Sequence, residues 1–520
     1  MKSMKNGTIK AKSKTKISID YKQLKLVIAI ALLTSVTLIN TTEIEHFVGV
    51  FSICLIAVSI MFMDIFRYRP AYAGKGKMLV LLGLLVVGSF LFGKGVEYLL
   101  LNFAKGMGFL NNKAIIYAIP VQSGAMLVSL LFDCHTAIIF SFIIGILGGV
   151  WQNDAFYSFY VFTGSIIAVF GVLRCRKRTD IVRGGLYLSS ANVLSVFVIS
   201  IANNQVLPSN IITPIIFAAT SGFTIAAFVS MILPVLEYTF KVTTDITLLE
   251  LLDLNQPLMR NLMINAPGTY HHSVIVGNLV EAAAEDIGVN PLLARVTAYY
   301  HDIGKMKMAD YFIENQSNAV SKHEKLTPHM SSMILISHVK EGLDLAEEYK
   351  LPEPIKDIIT QHHGTNIMTF FYQKAKEESS APPKEGDYRY PGPKPQSSVA
   401  ALVMVADAVE AASRVLKEPT PARITGLVEK IITNVLMDGQ LNECDLTLKD
   451  VNVIKERFAY ILNGIFHKRI EYPGFDFNKP EEGAKDKSND KELAAKSKDK
   501  LPMAQGSNEA FSNAVGLGKS

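Results

Sequence analysis

The chain has 520 residues, of which 49% are hydrophobic and only 19% are charged, and its mean hydropathy is +0.25. The apolar residues are concentrated in the first half, which excludes a wholly soluble globular protein. The net charge of +5 lies mainly in the N-terminal arm and in loops, so it indicates membrane topology and not nucleic-acid binding.

The N-terminal part is predicted to be a polytopic transmembrane helical domain. Residues 1–23 form a Lys-rich arm, and eight apolar runs follow at about 24–39, 47–64, 78–92, 114–131, 135–150, 155–173, 185–202 and 211–236. A cleaved signal peptide would explain the first run alone, and a buried helical core would not explain eight runs in series. We therefore predict a transmembrane domain over residues 24–236.

The basic residues predict the orientation of these spans. With the N-terminal arm inside, the basic loops at 67–77 and 174–183 fall on the cytoplasmic side. An even number of spans then returns the C-terminal half to the cytoplasm. The four cysteines have neither metal-like nor disulfide-like spacing, which agrees with a cytosol-facing half.

Residues 237–266 connect the last span to the soluble half. Residues 237–253 of this coupling segment are too short and too amphipathic for a flexible linker, so we interpret them as a stiff coupling helix. Within the membrane domain, Gly145 and Gly149 form a GxxxG pair that indicates close helix packing.

The soluble half alternates helix signals with stops and contains few strand signals. Pro267, Pro291, Pro328 and Pro354 each stand near the start of a predicted helix. We therefore predict an all-α domain over residues 267–471 that includes a long polar loop at 374–398. Residues 472–520 are rich in Lys, Ser and Asp, and we expect them to be disordered.

Histidine and aspartate residues on the predicted helices are the strongest functional signal. The set consists of His272, His301, Asp302, His338, His362, His363 and Asp407. A single buried histidine is usually a satisfied core residue, but seven such groups would be costly to bury without a metal. Seven nitrogen and oxygen ligands without a cysteine fit two first-row divalent ions that share one carboxylate.

Two metal ions in one site are a common device for hydrolysing phosphoesters, because they activate water and bind the phosphoryl oxygens. The sequence contains no G-x-S-x-G motif and no recognisable Cys/His pair that would supply another nucleophile. We therefore expect a phosphohydrolase in which metal-activated water is the attacking group.

The order of these residues resembles that of the HD-domain metal-dependent phosphohydrolases. Longer strings are similar to one branch, the bacterial seven-transmembrane HD-domain proteins that hydrolyse cyclic di-AMP to the linear dinucleotide pApA. The similar strings are Val242-Thr-Thr-Asp-Ile-Thr-Leu-Leu-Glu-Leu, Ala266-Pro-Gly-Thr-Tyr-His-His-Ser, Tyr300-His-Asp-Ile-Gly-Lys, Phe312-Ile-Glu-Asn-Gln, Ile336-Ser-His-Val-Lys-Glu-Gly and Tyr390-Pro-Gly-Pro-Lys-Pro. The resemblance covers residues 200–470 closely and the earlier spans in architecture only.

The resemblance implies how the ligands divide between the two metals. One metal would be held by His272, His301, Asp302 and Asp407. The second would be held by His338, His362 and His363, with Asp302 shared and His301 and Asp302 at the catalytic centre. The resemblance implies manganese or iron, and the ligand types also allow zinc.

The same resemblance implies a membrane-bound signalling hydrolase of the bacterial plasma (inner) membrane. Its partners would be a cyclic dinucleotide and the lipid bilayer, with the oligomeric state open between a monomer and a homodimer. Many relatives carry a large extracellular domain between the first two spans, whereas only residues 40–46 separate these spans here.

Four further residues are candidate substrate contacts. Lys305 and Arg414 are suited to bind phosphates, although Arg414 is equally suited to pair with Glu410 four residues earlier. Tyr300 has a ring that can stack on adenine or pack in the core, and His323 falls where relatives also have a histidine.

Two alternative functions stay open. The same site would suit cyclic di-GMP or another nucleotide, although Tyr390-Pro-Gly does not reproduce the Gly-Tyr-Pro signature of the cyclic di-GMP variant. A non-catalytic nucleotide-binding membrane receptor is the other alternative, and it predicts missing ligands, whereas all seven positions are filled.

Overall fold

The computed structural model describes residues 20–39, 43–69, 72, 76–106, 112–203, 211–316, 321–378 and 382–466. These residues form α-helices and short 3₁₀ helices, and their only β contact is an isolated bridge between Ile367 and Arg389. The prediction of an all-α chain is confirmed. The predicted disordered tail at 472–520 and most of the basic arm lie outside the described residues.

Eight helical segments are long and apolar enough to cross a membrane. Their helices are α1 (Tyr21–Leu38), α2 (Ile44–Tyr68), α3 (Gly76–Gly106), α4 (Ser123–Leu131), α5 (Cys134–Gln152), α6 (Ala155–Val172), α7 (Arg178–Ala202) and α8 (Ile212–Phe240). They coincide with the eight predicted apolar runs, and α3 extends well past the predicted end of its run at residue 92.

The fourth span is a broken helix. A 3₁₀ helix over Asn112–Ala118 is followed by a turn through Gln122 before α4 begins. The Tyr160 hydroxyl donates a hydrogen bond of 2.7 Å to the carbonyl of Tyr117 near this break. Irregular backbone inside a membrane must find its partners within the protein, and 78% of this span is buried in the bundle.

Close packing at Gly145 and Gly149 agrees with the GxxxG prediction. The Ser158 hydroxyl on α6 donates a hydrogen bond of 2.7 Å to the Gly145 carbonyl on α5. A Cβ atom added at Gly145 would lie 2.9 Å from Cβ of Phe162, so only glycine permits this approach.

The segment after the last span is not one stiff helix, so that prediction was wrong. Helix α8 ends at Lys241, which has a φ of 55°. Two short helices follow, α9 (Asp245–Leu251) and α10 (Pro257–Asn265). The Thr244 side chain caps α9 and proline begins α10, and these are start signals that an amphipathic pattern does not reveal.

Ion pairs join the membrane helices to the soluble half. Arg178 at the start of α7 contacts Glu250 on α9 at 2.7 and 3.1 Å. Lys241 contacts Glu353 at 2.8 Å. The Tyr300 hydroxyl donates to the Leu251 carbonyl at 2.9 Å, which ties α9 to the helix that precedes His301.

The soluble half consists of packed helices that mostly begin at the predicted positions. They are α11 (Pro267–Ile287), α12 (Pro291–Tyr300), α13 (Pro328–Glu348), α14 (Glu353–Gln361), α15 (Thr369–Glu378), α16 (Ser398–Ser413), α17 (Pro421–Met437) and α18 (Leu448–Ile465). Asn290 and Thr327 cap α12 and α13, and a proline follows each cap. Helix α16 is buried over most of its length and is the central element.

Candidate metal centre

His301 and Asp302 lie where α12 ends, and both are fully buried. Nδ1 of His301 donates a hydrogen bond of 2.7 Å to the carbonyl of Ala298, one turn earlier. This hydrogen bond leaves Nε2 as the ring nitrogen that faces the cluster, and it lies 3.2 Å from Oδ2 of Asp302. The end of the helix thus directs a nitrogen and a carboxylate toward the same point.

His338 on α13 and His362 at the end of α14 meet on the other side of Asp302. Each ring donates its Nδ1 proton to a carbonyl of its own helix, Leu335 for His338 and Ile359 for His362. Their Nε2 atoms lie 3.4 Å from each other and 3.4 and 3.5 Å from Oδ1 of Asp302. Lone pairs and a carboxylate oxygen converge there, an arrangement that a cation stabilises.

His272 and His363 complete the cluster together with Asp407. Nε2 of His272 lies 3.0 Å from Oδ1 of Asp407 and 3.7 Å from Oδ2 of Asp302. Nδ1 of His363 lies 3.6 Å from Oδ2 of Asp407. The structure therefore brings all seven predicted residues together.

Two groups within the cluster have the geometry to hold an ion. One contains His272, His301, Asp302 and Asp407, and the other contains Asp302, His338, His362 and His363. Within each group, the potential ligand atoms lie within 4.8 Å of one another. The membership of both groups is the same as that of the two predicted ligand sets, including the shared Asp302.

The nitrogen and oxygen atoms of these groups fit the coordination of a divalent metal. Oδ1 of Asp302 and Nε2 of His301 are buried without a hydrogen-bond partner. Such polar atoms are costly to bury unless something binds them. Nitrogen and carboxylate ligands without a thiolate suit several first-row divalent ions.

Electrostatics keep the carboxylates ionised and one ring neutral. Burial would raise the pKa of Asp302, but His301 and Lys305 hold that pKa well below its usual range. The pKa of Asp407 is likewise lowered, chiefly by its hydrogen bond with His272, although burial opposes this. Burial lowers the pKa of His338 to about 4, so its ring is neutral near pH 7. Ionised carboxylates and neutral imidazoles are the forms that bind metals.

His272 differs from the other histidines of the cluster because a carboxylate lies against each of its two ring nitrogens. Burial would lower its pKa, but hydrogen bonds with Asp407 and Glu410 raise that pKa to about 10. Without a metal the ring is therefore protonated at pH 7. A metal bound at Nε2 would displace that proton, while Nδ1 would keep its bond to Glu410.

A groove of about 610 Å³ opens beside the cluster. Asp407, His338 and His363 form its inner wall, and Tyr311, Phe312, His323, Phe370, Phe371 and Tyr390 supply aromatic rings. A smaller cavity of about 290 Å³ lies against His272 and Glu410 and shares Lys305 and Ile313 with the groove. Aromatic rings beside a metal centre suit a ligand that carries both bases and phosphates.

Two family models match parts of the chain. A model described as "7TM receptor with intracellular HD hydrolase" matches residues 44–244, and the HD domain model matches residues 269–412. The first range covers the seven spans from α2 to α8, and the second contains all seven cluster residues. The chain is therefore similar to the seven-transmembrane HD-domain proteins in its membrane part and to HD domains around the cluster.

The relatives carry names that describe an activity. Cyclic-di-AMP phosphodiesterase PgpH of Bacillus subtilis is 42% identical over 365 residues, which cover 69% of this chain and 51% of that protein. The protein of the same name from Listeria monocytogenes is 37% identical, over 69% of this chain and 50% of that protein. The chain thus spans about half the length of these curated relatives.

Solved structures of one of these relatives also match the chain. The crystal structure of the L. monocytogenes PgpH HD domain is 47% identical and covers 41% of this chain and all of that chain, with a TM-score of 0.40. A second structure of that domain is described as a complex with cyclic-di-AMP.

Two of the four predicted substrate contacts line the groove beside the cluster. Lys305 and His323 both line the groove. Lys305 is already paired with Asp302 at 2.7 Å and with Glu314 at 3.0 Å, and these carboxylates raise its pKa although burial opposes them. Its positive charge therefore lies beside the ligand atoms of Asp302. The role of His323 stays a prediction.

Two other predicted contacts need correction. Tyr300 is fully buried in the hydrophobic core and donates its hydroxyl to Leu251, so it does not reach the groove and its prediction as a substrate contact was wrong. Arg414 contacts Oε1 of Glu410 at 2.5 and 2.6 Å, so the ion pair weighed as its alternative role is present. Arg414 also lines the smaller cavity, and its side chain is 44% exposed.

Two functional residues were not found from the sequence. Glu410 contacts His272, and Glu314 contacts Lys305 and also accepts a hydrogen bond from Thr269. The position of Glu410 three residues after Asp407 on one helix was an available signal, because residues at this spacing share a face.

Proposed function

We propose that the chain is a membrane-bound, metal-dependent phosphodiesterase that hydrolyses cyclic di-AMP to pApA. The observation that carries this proposal is the convergence of seven residues, six of them buried, in two groups that share Asp302. The names of the relatives from B. subtilis and L. monocytogenes support the reaction and the substrate. The HD domain binds divalent metal ions, and we propose two of them.

The proposed ligands are those of the two groups described above. Divalent ions held there would polarise a phosphoryl oxygen and lower the pKa of a water molecule. We propose manganese or iron, with zinc as the alternative, because the site offers imidazole and carboxylate but no thiolate. Elemental analysis of the purified chain would identify the metal.

The residues around the centre have supporting roles in this proposal. Lys305 offsets the negative charge of Asp302 and presents a cation beside the groove. The aromatic rings of the groove would hold a base and exclude water around it, and His323 would contact the substrate or support those that do. Arg414 would meet a phosphate only through the part of its guanidinium that Glu410 leaves free.

We further propose that the HD domain, here residues 267–471, faces the cytoplasm of a bacterial cell. The multi-pass membrane domain of residues 24–236 and the link of residues 237–266 would place it beside its soluble substrate. The basic loops that precede α3 and α7 support this orientation.

The test uses the full chain purified in detergent micelles with manganese. Cyclic di-AMP and cyclic di-GMP are offered separately, and products are separated by chromatography. We expect pApA from cyclic di-AMP and little product from cyclic di-GMP. His301→Ala and Asp302→Ala should abolish the product, whereas His329→Ala, a change at an exposed histidine outside the cluster, should not.

Other outcomes separate the alternatives. Equal cleavage of both dinucleotides would mean that the HD site is catalytic but that the proposed substrate is too narrow. No cleavage by a chain that binds two equivalents of manganese would favour the non-catalytic receptor.

A further inference from the structure

We propose that Glu410 is a positioning residue that fixes the ring orientation and the tautomer of His272 for metal binding. This inference rests on the metal centre of the proposed function and adds a residue to it. Glu410 lies one turn after Asp407 on the buried helix α16, and only 2% of its surface is exposed.

Both carboxylate oxygens of Glu410 have fixed partners. Oε2 lies 2.5 Å from Nδ1 of His272, and Oε1 accepts hydrogen bonds from Nε and Nη2 of Arg414 at 2.6 and 2.5 Å. A carboxylate held at both oxygens can rotate little. It therefore defines the direction of the His272 ring.

The contrast with the other histidines shows why His272 needs this partner. His301, His338 and His362 each donate Nδ1 to a carbonyl three or four residues earlier, so their own helices set their tautomers. His272 sits within α11 and instead directs Nδ1 to a residue 138 positions away in the sequence. Its tautomer therefore depends on a tertiary contact.

The chemistry of the imidazole ring makes this contact matter for the metal. When Nδ1 donates its proton to a carboxylate, Nε2 carries a lone pair. That Nε2 atom points at Asp407 and Asp302, the residues that would hold the proposed ion together with His272. Carboxylates that accept from a ligand histidine orient the ring and raise its basicity, and their loss usually weakens metal binding roughly 10- to 100-fold.

Arg414 makes the effect of an isosteric change predictable. In Glu410→Gln the side chain has one acceptor oxygen, and the guanidinium of Arg414 can only bind that oxygen. The amide NH₂ group would then face Nδ1 of His272 and donate to it. This stabilises the tautomer with its proton on Nε2, which cannot bind a metal.

The experiment is a manganese titration of the full chain in detergent micelles, with free Mn²⁺ measured by electron paramagnetic resonance. We expect wild type to bind two ions, and we expect Glu410→Gln to bind one of them roughly 10- to 100-fold more weakly. Removing Arg414 as well, in Glu410→Gln with Arg414→Ala, frees the amide to turn its oxygen toward His272. This double variant should regain part of the lost affinity.

Controls separate positioning from packing. Glu418→Gln makes the same chemical change at a side chain that is 75% exposed and should leave both ions bound. The thermal midpoint of each variant reports whether it is folded. If Glu410→Gln binds both ions like wild type while Glu410→Ala does not, Glu410 only fills space and the inference is overturned.

The inference and the proposed function fail in different ways. If Glu410→Gln loses one ion while the wild-type chain cleaves no cyclic dinucleotide, the positioning role is supported. Only the proposed phosphodiesterase activity is then overturned. An unchanged titration in His272→Ala would mean that His272 holds no ion, and it would overturn the positioning role.

Discussion

Asp302 is the residue that joins the two halves of the metal centre. Its Oδ1 faces His338 and His362, and its Oδ2 faces His272 and His301. Asp407 has no such double role, because it belongs to one group only. Substitutions of the two aspartates should therefore have different effects on metal binding.

Replacing Asp302 with Asn should weaken the binding of both ions, whereas Asp407→Asn should weaken mainly the ion held by His272 and His301. Each loss should exceed the roughly 10- to 100-fold effect of removing an outer partner, because a direct ligand is removed. Manganese stoichiometry measured with each variant checks this. If the Asp302→Asn variant keeps one ion at wild-type affinity, the Asp302 carboxylate is not shared between the two ions.

Phe370 offers a test of the groove. Its side chain is 72% exposed although it lines the cavity beside the cluster, so its ring is available to a substrate base. Stacking on an aromatic ring contributes about 1–3 kcal/mol per base, so Phe370→Ala should raise KM about fivefold or more without changing metal stoichiometry. Tyr460→Ala, which removes a 73% exposed ring on α18, is the matched control and should leave KM unchanged.

Some residues of the centre could be predicted from the sequence and others could not. The seven ligands were predictable because histidine and aspartate are unusual on buried helix faces and because their order follows a known pattern. Glu410 was considered only as a partner of Arg414, because its contact with His272 joins residues 138 positions apart in the sequence. Tyr300 was misjudged because a tyrosine beside a motif looks the same whether it packs or stacks.

Helix α13 reaches the metal centre through a contact between two glycines. Gly304 follows the His301–Asp302 pair, and a Cβ atom added to it would lie 1.9 Å from the His338 carbonyl and 2.4 Å from the Gly342 nitrogen. Both neighbours are backbone atoms, which cannot move without shifting α13. The close approach sets where the His338 ring enters the cluster.

Gly304→Ala should therefore displace α13 and destabilise the domain by about 1–3 kcal/mol, as overpacking generally does. The midpoint of thermal unfolding should fall, and the affinity for manganese should decrease. Gly426→Ala is the matched control because a Cβ atom there meets nothing within 4 Å, and alanine within helix α17 should stabilise by about 0.5–1 kcal/mol. A Gly304→Ala chain that unfolds and binds manganese like wild type would contradict this account of α13.

Element boundaries were predictable where proline and a capping side chain mark them, as at Asn290-Pro291 and Thr327-Pro328. The division of residues 237–266 into two helices was not predicted, because hydropathy does not report a residue with positive φ such as Lys241. The break before α4 was missed because it lies within one continuous apolar run. An apolar run records burial in a membrane and not the pattern of backbone hydrogen bonds.

The whole molecule has a clear asymmetry between its two membrane faces. Arg178, Lys241 and the soluble domain lie on one side, where ion pairs join the membrane helices to α9 and α14. Exposed ion pairs of this kind contribute little to stability, about 0–1 kcal/mol. Basic residues on this side agree with a cytoplasmic position.

Labelling of single cysteines tests this orientation in a chain whose native cysteines are replaced. Arg176→Cys precedes α7, and Ala155→Cys begins α6 at the opposite end of the bundle; both positions are exposed. A membrane-impermeant maleimide should label Ala155→Cys on intact cells and Arg176→Cys only after permeabilisation. The reverse pattern would put the HD domain outside the cell.

The broken fourth span bears on how the chain is made. A helix of nine residues is about 13 Å long, less than half of the hydrocarbon thickness, so α4 cannot enter the bilayer as an independent spanning helix. The 3₁₀ helix before it contains Tyr117, whose carbonyl accepts a hydrogen bond from the Tyr160 hydroxyl on α6, 43 residues later in the chain. This partner exists only after α5 and α6 have been synthesised, so we expect the fourth span to reach its final structure together with these two helices.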